Sequence, residues 1–190
     1  SRPLLLEPKS NSSGLVAKPL SACQPANISF AMADATLGHR LRGVSVFFLS
    51  TTFADEVLAA GFSKASTIYD IEPAFIRSKG EHIMCPRDSR LGSAYVDCVR
   101  GQDNAGIATH MLSYTWGYSM LEDIIPSLEQ YCDREDLDPK RTYVWICCLC
   151  INQHRVQEMS RKGQKVPFEE FRATFDTRVR DIGHILALMS

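Results

Sequence analysis

Two apolar segments, ATHMLSY at residues 108–114 and RTYVWICCLC at residues 141–150, lie on either side of a segment with a helical apolar period. A strand, a helix and a strand in succession are typical of a βαβ unit, whose two strands lie parallel. Ligands of such sheets bind at the carboxyl ends of the strands. Small and polar residues follow each apolar segment, at 113–117 and 150–154, so the sequence predicts a site at these two turns.

The helix between the two strands carries its own start signal. Ser119 and Glu122 have the spacing of a capping box, in which each side chain accepts a hydrogen bond from a free backbone N–H. Pro126 is expected to bend the helix, because proline has no N–H to donate to the carbonyl of Glu122. Apolar residues at helical spacing predict one stripe that faces the sheet: Leu121, Ile124, Ile125, Leu128, Tyr131 and Cys132.

A second helix and a third strand complete the predicted unit. The helix ends at Gly183, and residues 184–189 form the strand. We therefore predict an α/β fold over residues 108–190, an incomplete flavodoxin-like three-layer fold with a parallel sheet. The last strand lacks a neighbour to cover its edge, so the domain is expected to continue beyond Ser190. Residues 154–165 predict a long polar loop, which is a candidate functional loop.

The first 107 residues carry weaker signals. Residues 1–40 contain prolines among Ser, Asn and Gly, and predict a flexible lead-in. Residues 42–50, RGVSVFFLS, predict a buried strand, followed by a helix that Thr51 or Thr52 caps. Residues 41–107 as a whole predict an α+β extension that packs on the main unit without a core of its own.

Composition excludes several classes of function. The net charge is −1 without blocks of like charge, so neither nucleic acid nor an anionic membrane surface is a predicted partner. The apolar runs are shorter than the roughly 18 residues of a membrane span, and the start lacks the apolar region of a secretory signal. Three of the seven cysteines crowd into residues 147–150, whereas a disulfide framework would space them along loops. We predict a reducing, cytoplasmic location.

At the two turns the sequence resembles a known family. LSYTWG at residues 112–117 and WICCLCINQ at residues 145–153 resemble the paired signatures of the heterokaryon incompatibility (HET) domain, LSYxWG and WxDxLCINQ. Cys147 stands where the second signature has Asp. The HET domain is similar in fold to the Toll/interleukin receptor (TIR) domain, a flavodoxin-like sheet. The stretch GEHIMCPRDSRLGSAYVDCV at residues 80–99 is similar to the lead-in of proteins that carry such a unit.

The resemblance implies two functions. One is an intracellular signalling or self-association module of an immunity or cell-death pathway, whose partners are other TIR-like domains. The alternative is an NAD glycohydrolase, with NAD as substrate and no other cofactor. TIR enzymes that cleave NAD use a Glu after the third strand, and the sequence ends before that point, so no catalytic residue is assigned.

Seven residues of the two turns are the predicted nucleotide-binding residues: Ser113, Tyr114, Thr115, Trp116, Gly117, Asn152 and Gln153. The hydroxyls of Ser113 and Thr115 can donate to a phosphate or ribose, and Trp116 can stack on a base. Alternatively, Trp116 fills the end of the sheet and Ser113 caps a backbone group. Gly117 is expected to hold a backbone geometry that a side chain forbids. The amides at 152–153 either orient a sugar or form the turn.

The cysteines allow further chemistry. Cys147, Cys150 and His154 combine a CxxC pattern with a histidine, as in soft-metal sites. On a strand, Cys147 and Cys148 would point to opposite faces, so we predict no metal site and interpret these thiols as small buried residues. A thiol nucleophile lacks an identified histidine partner. Basic residues of the 154–165 loop indicate either a phosphate ligand or a solvated loop: Arg155, Arg161, Lys162 and Lys165.

Overall fold

The computed structural model describes residues 14–19, 38, 40–163 and 168–189. Within them the chain forms a six-stranded sheet of order β1-β6-β4-β5-β2-β3. The strands are β1 (Gly14–Pro19), β2 (Arg42–Ser45), β3 (Ala105–Ile107), β4 (His110–Ser113), β5 (Tyr143–Trp145) and β6 (His184–Met189).

Most of the helices are short, and three π-helical segments join or precede them. The helices are α1 (Val46–Phe48), α2 (Ala54–Ala59), α3 (Ile68–Ile71), α4 (Arg77–Lys79), α5 (Tyr95–Cys98), α6 (Ile125–Glu135), α7 (Cys147–Cys150), α8 (Gln153–Arg161) and α9 (Phe168–Ile182). The π-helical segments are Leu49–Phe53, Glu72–Ile76 and Met120–Ile124. In the part of the chain that the structure describes, every helix is too short or too polar to cross a membrane.

The predicted α/β class is confirmed, but the sheet is mixed. Strand β4 lies parallel to β5 and β6, and Met111 is aligned with Trp145 on one side and Ile185 on the other. Strands β1, β2 and β3 pair antiparallel with their neighbours, so the prediction of a parallel sheet holds only for the centre. Residues 41–107 contribute two strands to the same sheet.

Strand β6 has a neighbour on its outer side. Strand β1 pairs with it antiparallel along its length, from Gly14 opposite Met189 to Pro19 opposite His184. The prediction of an uncovered third strand is therefore wrong. The covering strand comes from residues 14–19, within the segment that composition alone predicts to be a flexible lead-in.

Both faces of the sheet centre are buried. Successive side chains of a strand point to opposite faces, and His110, Met111 and Leu112 are all buried. One hydrophobic cluster includes Met111 together with Val44 and Tyr95, which precede the βαβ unit. Residues that precede the βαβ unit and residues within it therefore share one core.

Strand β2 is shorter than the apolar run at residues 42–50 predicts. Ser45 ends it, because its hydroxyl oxygen accepts a hydrogen bond from the backbone N–H of Phe48 at 2.9 Å and starts α1. The predicted cap, Thr51, instead lies within the π-helical segment and donates to the carbonyl of Phe47 at 2.7 Å. The run is buried as predicted, but most of it is helical.

The region after β5 differs most from prediction. Residues 141–150 predict one strand, yet β5 ends at Trp145 and Cys147–Cys150 forms the single helical turn α7. Residues 154–165 predict a loop, yet helix α8 occupies Gln153–Arg161. The physical reason is that an apolar run signals burial and does not by itself distinguish a strand from a buried helical turn.

The predicted helix between β4 and β5 consists of the π-helical segment Met120–Ile124, which Ser119 caps, followed directly by α6. The Ser119 hydroxyl accepts from the N–H groups of Leu121 and Glu122, each at 3.1 Å. The reciprocal acceptor is the carboxylate of Asp123, at 2.8 Å from the Ser119 nitrogen, in place of the predicted Glu122. Pro126 falls in the first turn of α6, directly after the π-helical segment Met120–Ile124. The predicted stripe is buried except for Leu121, which is partly exposed.

His110 is the buried titratable group at the sheet centre. The Thr109 hydroxyl donates to the carbonyl of Tyr143 at 3.0 Å, so the Nδ1–H of His110 donates to the Thr109 oxygen at 2.8 Å. The Nε2 atom then accepts from the Tyr131 hydroxyl at 3.3 Å. Burial, with a smaller contribution from His184, lowers the pKa of His110 from 6.5 to about 4.

We expect the free energy of unfolding to fall as the pH is lowered from 6.5 to about 4. In this range the unfolded chain takes up a proton at His110, whereas the folded chain does not. The resulting loss in the free energy of unfolding is at most about 3 kcal/mol. Urea unfolding at several pH values measures this slope. His110→Gln should remove this contribution, whereas the exposed His82→Gln should keep it. An unchanged slope in His110→Gln would contradict the assignment.

Candidate functional site

The two predicted turns meet at Cys147. The Tyr114 hydroxyl oxygen lies 3.0 Å from the Cys147 sulfur and accepts from the backbone N–H of Cys148 at 3.2 Å. The side-chain amide of Gln153 donates to the carbonyl of Cys147 at 3.3 Å. The parallel pairing of β4 and β5 therefore brings Tyr114 and Gln153 to one place at the carboxyl ends of the strands.

The rest of the first turn faces outward. Ser113 and Thr115 are exposed, and the Thr115 hydroxyl accepts from the N–H of Gly117 at 3.0 Å. Trp116 is half-buried and packs against the core. Its ring centre lies 5.6 Å from that of Tyr69, a side chain that is 66% exposed. Trp116 thus has the core contacts of one predicted role and forms a partly exposed aromatic pair with Tyr69, while its stacking on a base stays a prediction.

Gly117 does not have the predicted backbone geometry, because its φ is not positive. A Cβ atom placed there would lie 3.3 Å from the Thr115 hydroxyl. The prediction of a forbidden backbone conformation is therefore wrong, and the contact with Thr115 is the restriction that the structure shows.

The side-chain amide of Asn152 forms hydrogen bonds within the chain through both its oxygen and its nitrogen. Its oxygen accepts from the N–H groups of His154 and Arg155 at 3.1 and 3.4 Å, which caps α8. Its nitrogen donates to the carbonyl of Gly92 at 2.8 Å. The side chain is buried, so in this structure it serves as the turn residue that the alternative interpretation predicted.

Arg87 fastens the loop at residues 85–92, here called the docked loop, to α5 and α7. The guanidinium donates to the carbonyl of Cys150 at 2.8 Å and to the carboxylate of Asp97 at 3.2 Å. The Nε atom of Arg87 lies 3.1 Å from the second oxygen of Asp97, whose side chain is fully buried. Sequence reasoning missed this ion pair, although both residues belong to the stretch 80–99 singled out by resemblance.

A second ion pair joins the docked loop to α8. Two nitrogens of Arg155 lie 2.7 and 3.2 Å from the two carboxylate oxygens of Asp88. These hydrogen bonds lower the pKa of Asp88 from 3.8 to about 2. Arg155 also contacts Glu158 at 3.0 Å, so its charge is neutralised within the chain. Arg161 and Lys162 are exposed, and Lys165 lies outside the described residues.

A groove of about 340 Å³ lies beside the start of α8. Its lining residues are Pro73, Arg77, Ser78, Glu81, His154 and Gln157. His154 Nε2 donates to the carbonyl of Arg77 at 3.0 Å, and the Arg77 guanidinium pairs with the buried Glu72 at 3.0 Å. The groove is therefore lined largely by polar side chains, and the charge of Arg77 is paired with Glu72.

The three clustered cysteines occupy the helical turn α7, so the prediction that places Cys147 and Cys148 on a strand is wrong. Cys147 is partly exposed, while Cys148 and Cys150 are buried. Burial raises the pKa of the Cys148 thiol well above its usual range and that of Cys150 to about 12. Among the described residues, no group of three His, Cys, Asp or Glu side chains is placed to hold a metal ion.

No protein-family model, no curated protein and no solved structure matches the chain. The similarity of residues 112–117 and 145–153 to the HET signatures therefore stays a prediction. Inferences about function depend on the geometry at the strand ends and on the chemistry of the side chains there.

We expect Asn152→Ala to lower the free energy of unfolding by about 2–4 kcal/mol. The substitution removes a helix cap, worth about 1 kcal/mol, and leaves the buried carbonyl of Gly92 without its donor, at about 1–3 kcal/mol. Asn152→Ser keeps an oxygen for the cap and should lose less. Urea denaturation followed by circular dichroism measures both variants, and equal losses would show that the cap contributes nothing.

Asp97→Ala is expected to cost about 3 kcal/mol, because it removes a fully buried carboxylate and leaves the partly exposed guanidinium of Arg87 without its counterion. The matched control is Asp103→Ala, which removes an exposed partner of Arg141 and should leave stability unchanged. Thermal and urea unfolding of the two variants are compared with the parent chain. Similar stabilities for both variants would mean that the Arg87–Asp97 pair does not hold the docked loop.

Proposed function

We propose that the chain is a TIR/HET-like signalling module that acts in the cytoplasm by assembling with copies of itself, in an immunity or cell-death pathway. The order of the parallel strands supports a flavodoxin-like relationship. Strand β4 is the first of the unit and lies between β5 and β6. In flavodoxin-like sheets the first strand likewise lies between the second and the third.

The partly exposed aromatic pair of Tyr69 and Trp116, beside the end of β4, is the observation that carries this proposal. Tyr69 is 66% exposed, and its ring contacts the ring of Trp116 in a tilted arrangement. Trp116 in turn packs against the hydrophobic core. Tyr and Trp are the residues most enriched at the energetic centres of protein interfaces. The exposed hydroxyls of Ser113 and Thr115 supply a polar rim. This surface suits contact with another protein.

Charge and hydrogen bonding favour assembly over nucleotide binding. A net charge of −1 produces little repulsion between copies of the chain. Tyr114, Asn152 and Gln153 are hydrogen-bonded within the chain, so a nucleotide would have to displace those bonds. NAD hydrolysis is the second candidate, and a separate assay of nicotinamide release tests it.

Sedimentation velocity over a range of protein concentrations tests the proposal. We expect the average mass to rise with concentration, and Tyr69→Ala to weaken association at least about tenfold, because truncation of an aromatic interface residue costs more than about 1.4 kcal/mol. Met84→Ala is the matched control, since Met84 is a 57% exposed apolar residue in the docked-loop region and should leave association unchanged.

Two outcomes would overturn the proposal. A chain that stays monomeric at every concentration is not a self-associating module. Release of nicotinamide from NAD by the parent chain would instead support the enzymatic candidate. Circular dichroism of Tyr69→Ala verifies that the fold is intact, which is expected because the ring is mostly exposed.

A further inference from the structure

The CxxC pattern of helix α7 has a geometry that neither the fold nor self-association requires. Cys147 opens the turn and is partly exposed, whereas Cys150 closes it and is buried. Residues three apart on a helix are neighbours, with Cβ atoms about 5–6 Å apart. A disulfide needs Cβ atoms about 3.5–4.5 Å apart, so a small adjustment of this single turn brings the two thiols into bonding range.

Tyr114 is oriented toward the exposed thiol. Its oxygen accepts from the N–H of Cys148, and its own hydrogen is therefore available to the Cys147 sulfur, 3.0 Å away. Burial raises the pKa of Tyr114 well above its usual range, so the phenol stays protonated and remains a donor. A hydrogen bond donated to sulfur stabilises the thiolate, which is the reactive form of cysteine.

We infer that Cys147 and Cys150 form a redox-active dithiol, which a peroxide converts into a disulfide. A CxxC pattern beside a βαβ unit is a recognised setting for such chemistry. Cys147 is the attacking thiol because it is accessible and faces the Tyr114 hydroxyl, and Cys150 is the resolving thiol. The adjacent Cys148 is fully buried. This inference does not depend on the proposed self-association.

The reaction balances with one hydrogen peroxide. The Cys147 thiolate attacks one peroxide oxygen, the O–O bond breaks, and the leaving hydroxide takes a proton to form water, which leaves a sulfenic acid on Cys147. The Cys150 sulfur then attacks the Cys147 sulfur, its proton passes to the departing hydroxide, and a second water leaves. The two thiols lose two electrons in total, and the peroxide gains both.

Cys98 is the internal reference for reactivity, because it is likewise partly exposed and free. The Cys98 thiol donates to the carbonyl of Ala94 at 3.4 Å, so its partner is a hydrogen-bond acceptor. The partner of Cys147, in contrast, is a donor, the hydroxyl of Tyr114. Burial also raises the pKa of Cys98. We expect iodoacetamide to modify Cys147 of the reduced full chain at least about tenfold faster than Cys98.

Mass spectrometry of the peroxide-treated full chain tests the disulfide. We expect the parent chain and Cys148→Ala to lose two thiols and 2 Da, reversibly with dithiothreitol, in the segment that contains Cys147 and Cys150. Cys150→Ser should instead accumulate a sulfenic acid on Cys147 that dimedone traps, and Cys98→Ser should behave like the parent. Tyr114→Phe should slow the alkylation of Cys147 about tenfold.

Several results would overturn the inference. Preferential alkylation of Cys98 in the parent chain is one, and it needs no variant. A disulfide that still forms within α7 in Cys150→Ser would assign the resolving role to Cys148. Irreversible oxidation of the parent chain without loss of a second thiol would show that Cys150 does not reach Cys147.

Discussion

The ion pair between Arg87 and Asp97 is the interaction on which the arrangement of the docked loop, α5 and α7 depends. The guanidinium lies between the buried carboxylate of Asp97 and the carbonyl of Cys150, and so it joins the docked loop, α5 and α7. A buried charge without partners costs several kcal/mol, which means that these three segments are stable only together. Asp88 with Arg155 and Asn152 with Gly92 extend the same junction to α8.

Because of this junction, polar residues near the strand ends form hydrogen bonds within the chain. The second predicted turn contains Asn152 and Gln153, and their amides cap a helix or bond to backbone carbonyls. What remains on the outside is an aromatic pair, Tyr69 and Trp116, and the partly exposed thiol of Cys147. The side chains that hold the architecture are thus distinct from those for which we propose protein contact and thiol chemistry.

Sequence patterns succeeded where neighbouring residues along the chain make the interaction. The Ser119 cap bonds to backbone groups two and three residues away, and the stripe of α6 repeats with the period of a helix. They failed at residues 42–50 and 141–150, where apolar runs begin as strands and continue as helical turns. Burial is encoded by composition in these runs, whereas the change of conformation is set by local caps such as the Ser45 hydroxyl.

The sequence by itself determined the α/β class, the helix between β4 and β5, and the presence of two turns at the ends of adjacent parallel strands. Only the tertiary structure decided that Arg87 bonds to Cys150, 63 residues away, that Asn152 bonds to Gly92, 60 residues away, and that β1 covers β6. The physical reason is that such contacts depend on which distant segments the shared core brings together. A local pattern of residues records how a segment is buried, but not which partner buries it.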